Sequence, residues 1–156
     1  MQTVEDRTVY SNSIYGIEKK RCHSFCAPQI CCSTTSTILA SSTANSLEKN
    51  VREYKESDRF DVILMNPPYG GNEKEGVKQN FPADLRSSET ADLFMSVIMY
   101  RLKQNGRCAI ILPDGFLFGT DNAKMAIKEK LLSEFNLHTV IRMPHSVFAP
   151  YTSITT

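Results

Sequence analysis

The tetrapeptide Asn66-Pro67-Pro68-Tyr69 carries the side chains best suited to chemistry in this sequence. It follows directly after Phe60–Met65, a short apolar run that predicts a buried strand of a parallel sheet. The Asn66 side-chain oxygen and the Pro67 carbonyl are two hydrogen-bond acceptors, and the prolines restrict the backbone that holds them. Tyr69 adds an aromatic face. Because Asn-Pro and Pro-Pro are also common in turns, an ordinary structural turn is the alternative interpretation.

Two fixed acceptors beside an aromatic ring suit an amino group that is attached to an aromatic base. The amino nitrogen of adenine is a poor nucleophile, since its lone pair is delocalised into the ring. Acceptors aimed at its hydrogens localise that lone pair, and rigid acceptors need not reorganise during the reaction. An aromatic face stacks on a base that has left the duplex. Alignment of the nitrogen with a sulfonium methyl group supplies further rate through proximity.

Strand-like and helix-like segments alternate along the chain around this motif. The predicted elements, in chain order, are a weak strand over 9–16, a strand over 60–65, a polar surface loop over 70–86, an amphipathic helix over 90–103, a strand over 107–112, a helix over 123–135 with Ile127, Leu131, Leu132 and Phe135 facing inward, and a strand over 138–143. This alternation predicts an α/β fold with a parallel sheet flanked by helices. Ligands of such sheets bind beyond the carboxyl ends of the strands, where the motif lies.

Composition limits the class of protein without selecting a partner. The chain has 156 residues, of which 41% are hydrophobic and 22% charged, as in a globular domain. Its formal net charge of +1 provides no basic excess for gripping nucleic acid unaided. No apolar run is long enough to span a membrane, and the first ten residues are not a secretory signal, so we expect a cytoplasmic protein without a membrane partner.

The motif and the segments around it resemble the modification subunit of type I restriction-modification systems, within the family of adenine-N6 DNA methyltransferases. The resemblance covers residues 46–156 almost continuously. The segments that carry it, in order, are Phe60–Gly71, Ala91–Phe94, Asn105–Arg107, Leu112–Phe118, His138–Pro144 and Val147–Tyr151. It implies a partial Rossmann-like class I methyltransferase fold and transfer of a methyl group from S-adenosylmethionine to a flipped adenine.

The resemblance also implies roles for individual residues and partners. Asn66, Pro67, Pro68 and Tyr69 form the catalytic set, and Asn66 also contacts the cofactor. Glu18, in the segment Ile14–Lys20, holds the ribose hydroxyls of the cofactor, and Asn45 approaches its adenine. DNA, a specificity subunit and a restriction subunit are the implied partners.

The sequence departs from the family pattern at both ends. The glycine-rich cofactor loop, the strand before it and the last strand or strands of the sheet are absent, so we interpret the 156 residues as one partial catalytic domain and expect the isolated chain to be inactive. Two alternatives remain: a methyltransferase acting on protein glutamine (N5), and a decayed, non-catalytic remnant. Asp92 is either part of the site or a charge at the start of a helix.

The segment 21–45 is anomalous, because it is rich in Ser, Thr and Cys and has no apolar period. It includes Cys22, His23, Cys26, Cys31 and Cys32, whose spacing does not match a zinc template, and we predict no metal site. Our hypothesis is a pair of compensating single-base shifts, since a restored frame is compatible with the sequence that the family has here. An accurate nucleotide read of this segment tests that hypothesis.

Overall fold

The structure is a computed structural model that describes residues 3–18, 40–144, 147–148 and 156. The chain divides into two compact units, Met1–Ser46 and Leu47–Thr156, which are described separately. The longer elements are helices α1 (Val4–Ser13), α2 (Glu75–Lys78), α3 (Thr90–Arg101), α4 (Asp114–Phe118) and α5 (Asn122–Glu134), and strands β1 (Tyr15–Glu18), β2 (Ala40–Thr43), β3 (Phe60–Met65) and β4 (Leu102–Ile110). Single 3₁₀ turns lie at Val51–Glu53, Glu56–Asp58 and Ala83–Leu85.

The first unit contains a capped helix followed by two parallel strands. The Asp6 backbone N–H donates to Thr3 Oγ1 at 3.1 Å, and the Thr3 N–H donates to Asp6 Oδ2 at 2.8 Å. This capping box satisfies two N–H groups at the start of α1. The predicted strand over 9–16 is therefore wrong in its first part, where the chain is helical, and strand structure begins only at Tyr15. β1 pairs in parallel with β2, with Glu18 opposite Thr43.

Strand β2 lies inside the segment that we interpreted as anomalous. Residues 40–43 form an ordinary parallel ladder with β1 although they show no apolar alternation. A parallel ladder is made by backbone hydrogen bonds, which form whatever the side chains are. A search for alternating apolar residues therefore missed this strand. The cysteines of the segment and His23 lie outside the described residues.

Parallel pairing of β3 with β4 builds the sheet of the second unit and confirms the predicted α/β class. Phe60 pairs with Leu102 and Val62 pairs with Arg107, so residues 103–106 form an excursion between the two halves of the ladder. Asn105 has a φ of +62° in this excursion. Asn tolerates this left-handed conformation better than most residues. Helix α3 ends at Arg101, earlier than the predicted end at residue 103, and β4 begins at Leu102, before the predicted start at residue 107.

The predicted burial of these two strands is wrong for the described residues. Ile63 is buried in β3, whereas Val62 and Leu64, on the opposite face, are 60% and 78% exposed. Most of β4 is exposed or half-buried as well. The reason is that the described core packs against one face of this two-stranded ladder only. The alternation visible in the burial of β3 is typical of a strand with one covered face.

Helix α3 is the centre of the hydrophobic core. Its residues Leu93 and Val97 join a cluster with Leu47, Val51 and Phe81, and its residues Met95 and Met99 join a second cluster with Leu85, Phe116 and Ile127. The helix was predicted to be amphipathic, but it is buried on nearly all sides, including the polar residues Asp92 and Ser96. Apolar residues on two opposite faces of the helix pack into two different clusters. A prediction based on one apolar face therefore underestimates how much of this helix is buried.

Three further predictions are corrected. The loop over 70–86 is not entirely at the surface, because it contains α2 and the buried residues Phe81 and Leu85. Leu132 points outward rather than inward. Residues 138–143 form no strand, and Val140 and Ile141 are 64% and 77% exposed, since no strand among the described residues lies beside them. Within the described ranges, no helix is long and apolar enough to cross a membrane.

Asn80 connects two non-helical segments of the second unit. Its Nδ2 donates to the Leu47 and Glu48 carbonyls at 3.0 and 2.8 Å, and its own carbonyl accepts from the Val51 N–H at 3.0 Å. The side-chain bonds fix the turn that places Leu47 in the core.

We therefore predict that Asn80→Ala lowers the free energy of unfolding of the full chain by about 1–2 kcal/mol, because one partly buried and one exposed hydrogen bond are lost. Urea unfolding followed by circular dichroism measures this loss. Gln79→Ala, at the exposed neighbouring position, is the control and should change stability by less than about 0.5 kcal/mol. Equal losses in both variants would contradict the assigned role of Asn80.

Candidate active site

The Asn-Pro-Pro-Tyr segment leaves the carboxyl end of β3 in a fixed position. The Ile111 N–H donates to the Met65 carbonyl at 3.1 Å, which extends the ladder to the last residue of the strand. Asn66 is then exposed, and Pro67 is buried beneath it. A buried proline with a fixed φ limits the conformations available to the residues on both sides. The segment thus presents the Asn66 carboxamide at the edge of the sheet where ligands of parallel sheets bind.

A hydrogen bond joins the two polar groups of this segment. The Tyr69 hydroxyl donates to Asn66 Oδ1 over 3.0 Å. Burial raises the pKa of the half-buried Tyr69 above its usual value, so its hydroxyl keeps its proton at neutral pH and remains a donor. An amide oxygen has two lone pairs, and therefore Asn66 Oδ1 can accept a second hydrogen bond while this one is kept. The hydrogen bond restricts rotation of the carboxamide before any ligand arrives.

Two glycines connect the segment to the start of helix α3. Gly70 has a φ of +68°, a left-handed conformation that side chains with a Cβ rarely adopt. Gly71 lies against Thr90, where an added Cβ would be 2.7 Å from Thr90 Oγ1. The Gly71 carbonyl accepts from the Thr90 N–H at 3.0 Å and from Thr90 Oγ1 at 2.8 Å. An antiparallel bridge between Asn72 and Glu89 continues this contact.

Phe148 contacts Tyr69, and our site prediction omitted it. Its ring lies 6.4 Å from the Tyr69 ring, centroid to centroid, at an interplanar angle of 74°, an edge-to-face arrangement. The sequence did contain a signal, because Phe148 belongs to the segment Val147–Tyr151 that contributes to the family resemblance. Its distance from Tyr69 along the chain concealed the contact.

The remaining predicted site residues lie in the first unit. Glu18 is the last residue of β1, at the carboxyl end of a parallel strand, and its role at the cofactor stays a prediction. Asn45 is half-buried after the end of β2. Within the second unit, the predicted site residues that the structure brings together are those of the segment from Asn66 to Tyr69.

Two aspartates of the second unit have partners that the sequence did not indicate. Asp92 is completely buried and pairs with Lys124, so it is neither an exposed charge at the start of a helix nor open to a ligand. Asp114, at the start of α4, pairs through Oδ2 with Arg142 Nη2 at 2.7 Å. This ion pair attaches the segment that was predicted to be a strand. Among the described residues, no group of three or more His, Cys, Asp or Glu side chains is arranged to hold a metal ion.

Comparisons with known proteins agree on one family. The family model described as N-6 DNA Methylase matches residues 2–156. The chain is 41% identical over 162 aligned residues to the type I restriction enzyme EcoEI methylase subunit of Escherichia coli, and the alignment covers 100% of this chain and 31% of that protein.

Solved structures show the same relationship. A modification subunit of a putative type I restriction enzyme from Vibrio vulnificus YJ016 superposes with a TM-score of 0.88 at 41% identity, covering 99% of this chain and 34% of that one. A second chain, from work on complex assembly and conformational transition of the type I R-M system, gives a TM-score of 0.88 at 37% identity, covering 99% of this chain and 31% of that one.

This chain spans about a third of the length of these relatives. None of the three relatives named here is described as a methyltransferase acting on protein glutamine. The match over nearly the whole chain and the high structural similarity lead to one conclusion: the chain belongs to the N-6 DNA methylase family.

Proposed function

We propose that this chain forms part of the catalytic domain of a type I DNA methyltransferase that methylates the exocyclic amino group of adenine. The observation that carries the proposal is the Asn66 carboxamide, which is exposed beyond the end of β3 and oriented by the Tyr69 hydroxyl at 3.0 Å. The similarity of the chain to methylase and modification subunits of type I enzymes supports the assignment.

We propose S-adenosylmethionine as the cofactor, with Glu18 and Asn45 as its candidate contacts in the first unit. When bound, this cofactor would supply a methyl group on a positively charged sulfur: the nitrogen–methyl bond forms as the sulfur–methyl bond breaks, the cofactor leaves as a neutral thioether, and the amino group releases one proton to solvent. Glu18 ends β1, where a carboxylate can accept hydrogen bonds from both hydroxyls of a ribose. Asn45 would contact the adenine of the cofactor, and Asn66 would contact the cofactor as well as the base.

Asn66 and Pro67 would activate the base by accepting hydrogen bonds from its amino group. The free lone pair of Asn66 Oδ1 and the Pro67 carbonyl can each accept one of the two amino hydrogens. Pro67 and Pro68 hold both acceptors in place, so their dipoles need no reorganisation when charge develops on the nitrogen. Fixed dipoles stabilise the transition state more than the ground state, which is how they accelerate the reaction.

Tyr69 and Phe148 would supply the aromatic surface for an extruded base. Stacking on aromatic side chains compensates in part for the stacking that a base loses when it leaves the duplex. Because Tyr69 also orients Asn66, the same residue would position the base and the acceptor that acts on it.

Choice of the DNA sequence would lie outside this chain. The net charge of +1 supplies little of the electrostatic grip that DNA binding needs. We therefore propose DNA as substrate, a specificity subunit that selects the target sequence, and a restriction subunit as the third partner of the system. The isolated chain is expected to transfer no methyl group, which labelled S-adenosylmethionine and DNA would test directly.

The first test maps N6-methyladenine across the genome of a host without adenine methylation that expresses a full-length type I modification subunit containing these residues, together with its specificity subunit. We expect methylation at one sequence motif, and Asn66→Ala should reduce it by about 10²-fold or more, as loss of a fixed transition-state hydrogen bond does elsewhere. Asn136→Ala, at an exposed asparagine of the same unit, is the control and should leave methylation unchanged. Absence of methylation in the parent, or methylation that survives Asn66→Ala, would refute the proposed function.

A second prediction separates the ring of Tyr69 from its hydroxyl. Tyr69→Phe keeps the stacking face and loses the hydrogen bond to Asn66, so we expect a fall of a few-fold in methyl transfer. Tyr69→Ala also loses stacking worth about 1–3 kcal/mol and should weaken extrusion of the base about tenfold or more. The fluorescence of 2-aminopurine at the target position reports extrusion.

Phe118→Ala is the aromatic control. Phe118 is 72% exposed, and the contacts of Tyr69 described here are with Asn66 and Phe148. If Tyr69→Ala leaves the 2-aminopurine signal equal to that of Phe118→Ala, the stacking role of Tyr69 is wrong.

A further inference from the structure

Lys124 is a buried cation whose position the family motifs do not explain. It lies in the first turn of α5, is 4% exposed, and has three carboxylates around its ammonium group. Its Nζ is 2.7 Å from Glu89 Oε1, 3.1 Å from Asp92 Oδ2 and 3.1 Å from Asp121 Oδ2. A lysine at this end of a helix opposes the helix dipole, so the carboxylates must compensate for that cost as well as for burial.

The surrounding contacts allow the Lys124 side chain little freedom. Its own N–H donates to Asp121 Oδ1 at 3.0 Å, which caps α5. Gly119 lies directly against the aliphatic stem, because a Cβ added there would overlap the Lys124 side chain. Asp92 receives a further hydrogen bond from Ser87 Oγ at 2.5 Å, while its Oδ1 has no partner among the described residues. The lysine is therefore held at one point between α3 and α5.

Two of the three carboxylates belong to the part of the chain that holds the Asn66–Tyr69 segment. Glu89 directly precedes α3 and forms the antiparallel bridge with Asn72. The next residue, Thr90, donates both its hydrogen bonds to the Gly71 carbonyl. Asp92 lies in the same first turn of α3. A continuous series of contacts thus connects Lys124 through the start of α3 to the residues immediately after Tyr69.

Lys124 keeps its charge among the three carboxylates, so the ion pairs that join it to the start of α3 are maintained. Burial by itself would lower the pKa of Lys124, but the hydrogen bonds to Glu89, Asp92 and Asp121 outweigh burial and raise that pKa above its usual value. Lys124 therefore stays charged at neutral pH. A buried ion cluster is seldom the most stabilising way to fill a core, whereas its bonds are directional and fix distances.

We propose that Lys124 is a positioning residue for the catalytic segment: by holding Glu89 and Asp92 it fixes the start of α3, and the start of α3 fixes Gly71 and Asn72. The proposal rests on the proposed function for its consequence in catalysis. Lys124 itself touches neither base nor cofactor in this scheme, and it acts only through the peptide that follows Tyr69.

Hydrogen exchange of the full chain tests the connection without any need for activity. The reporters are the Thr90 amide, which donates to Gly71, and the amides of residues 69–72. In Lys124→Met these amides should exchange about tenfold faster than in the parent, because the contact between Glu89 and the segment opens more often. Glu89→Ala removes the partner of Lys124 that precedes α3 and should accelerate exchange of the same amides. This variant decides the test if Lys124→Met fails to fold.

Ile127→Val is the matched control, since Ile127 is completely buried on the same helix and its truncation destabilises the unit without touching the cluster. It should accelerate these amides no more than other amides of the second unit. If Lys124→Met and Glu89→Ala behave like Ile127→Val, Lys124 is only a structural residue and the proposal is overturned.

Steady-state kinetics of the full-length modification subunit, assembled with its specificity subunit, supply the second readout. Lys124→Met should lower kcat about 10²-fold and change the KM for S-adenosylmethionine far less, because a displaced segment loses its alignment with the base while Glu18 and Asn45 keep their proposed cofactor contacts. A rise in KM with unchanged kcat would overturn the positioning role. If the parent enzyme transfers no methyl group at all, the proposed function fails, and hydrogen exchange still decides whether Lys124 holds the segment.

Discussion

The near-complete burial of helix α3 is the constraint on which the rest of the second unit depends. Its two opposite faces complete two apolar clusters, and its first turn carries the contacts to the Asn66–Tyr69 segment. A two-stranded sheet is marginally stable without support, and here the support comes from the helix that packs between the clusters. The Asn66–Tyr69 segment is irregular in backbone, yet it is attached at both ends to regular structure, to β3 on one side and to α3 on the other.

This attachment explains how a short exposed segment can hold a defined shape. The prolines restrict the backbone locally, and the two glycines permit a turn and a close contact that other residues would not allow. The Tyr69 hydroxyl then fixes the one side chain whose orientation matters most for accepting a hydrogen bond. Each of these devices acts on a few bonds, and together they leave the carboxamide little freedom. Enzymes that depend on fixed dipoles need this kind of local rigidity.

Features that depend on nearby residues could be predicted from the sequence, and features that depend on distant ones could not. Strand β3, the turn after it and helix α5 all follow from local pattern, and the order of strand and helix gives the α/β class. The Lys124 cluster joins residues 35 apart in sequence, such as Glu89 and Lys124, and no spacing rule indicates that a lysine will be buried. Residues 138–143 have an apolar pattern typical of a strand, but a strand also needs a neighbour, and pattern alone does not reveal one.

The excursion at residues 103–106 has a consequence for how this fold tolerates change. The ladder is fixed on either side of it, at Leu102 and at Arg107, so residues added between Gln104 and Asn105 lengthen only the excursion. Side chains of the strand on either side of the excursion stay on the same faces of the sheet. Lengthening a short exposed loop costs little entropy. This point is therefore a natural place to introduce an affinity tag or a spectroscopic label into the second unit, at the end of the strand pair opposite to Asn66.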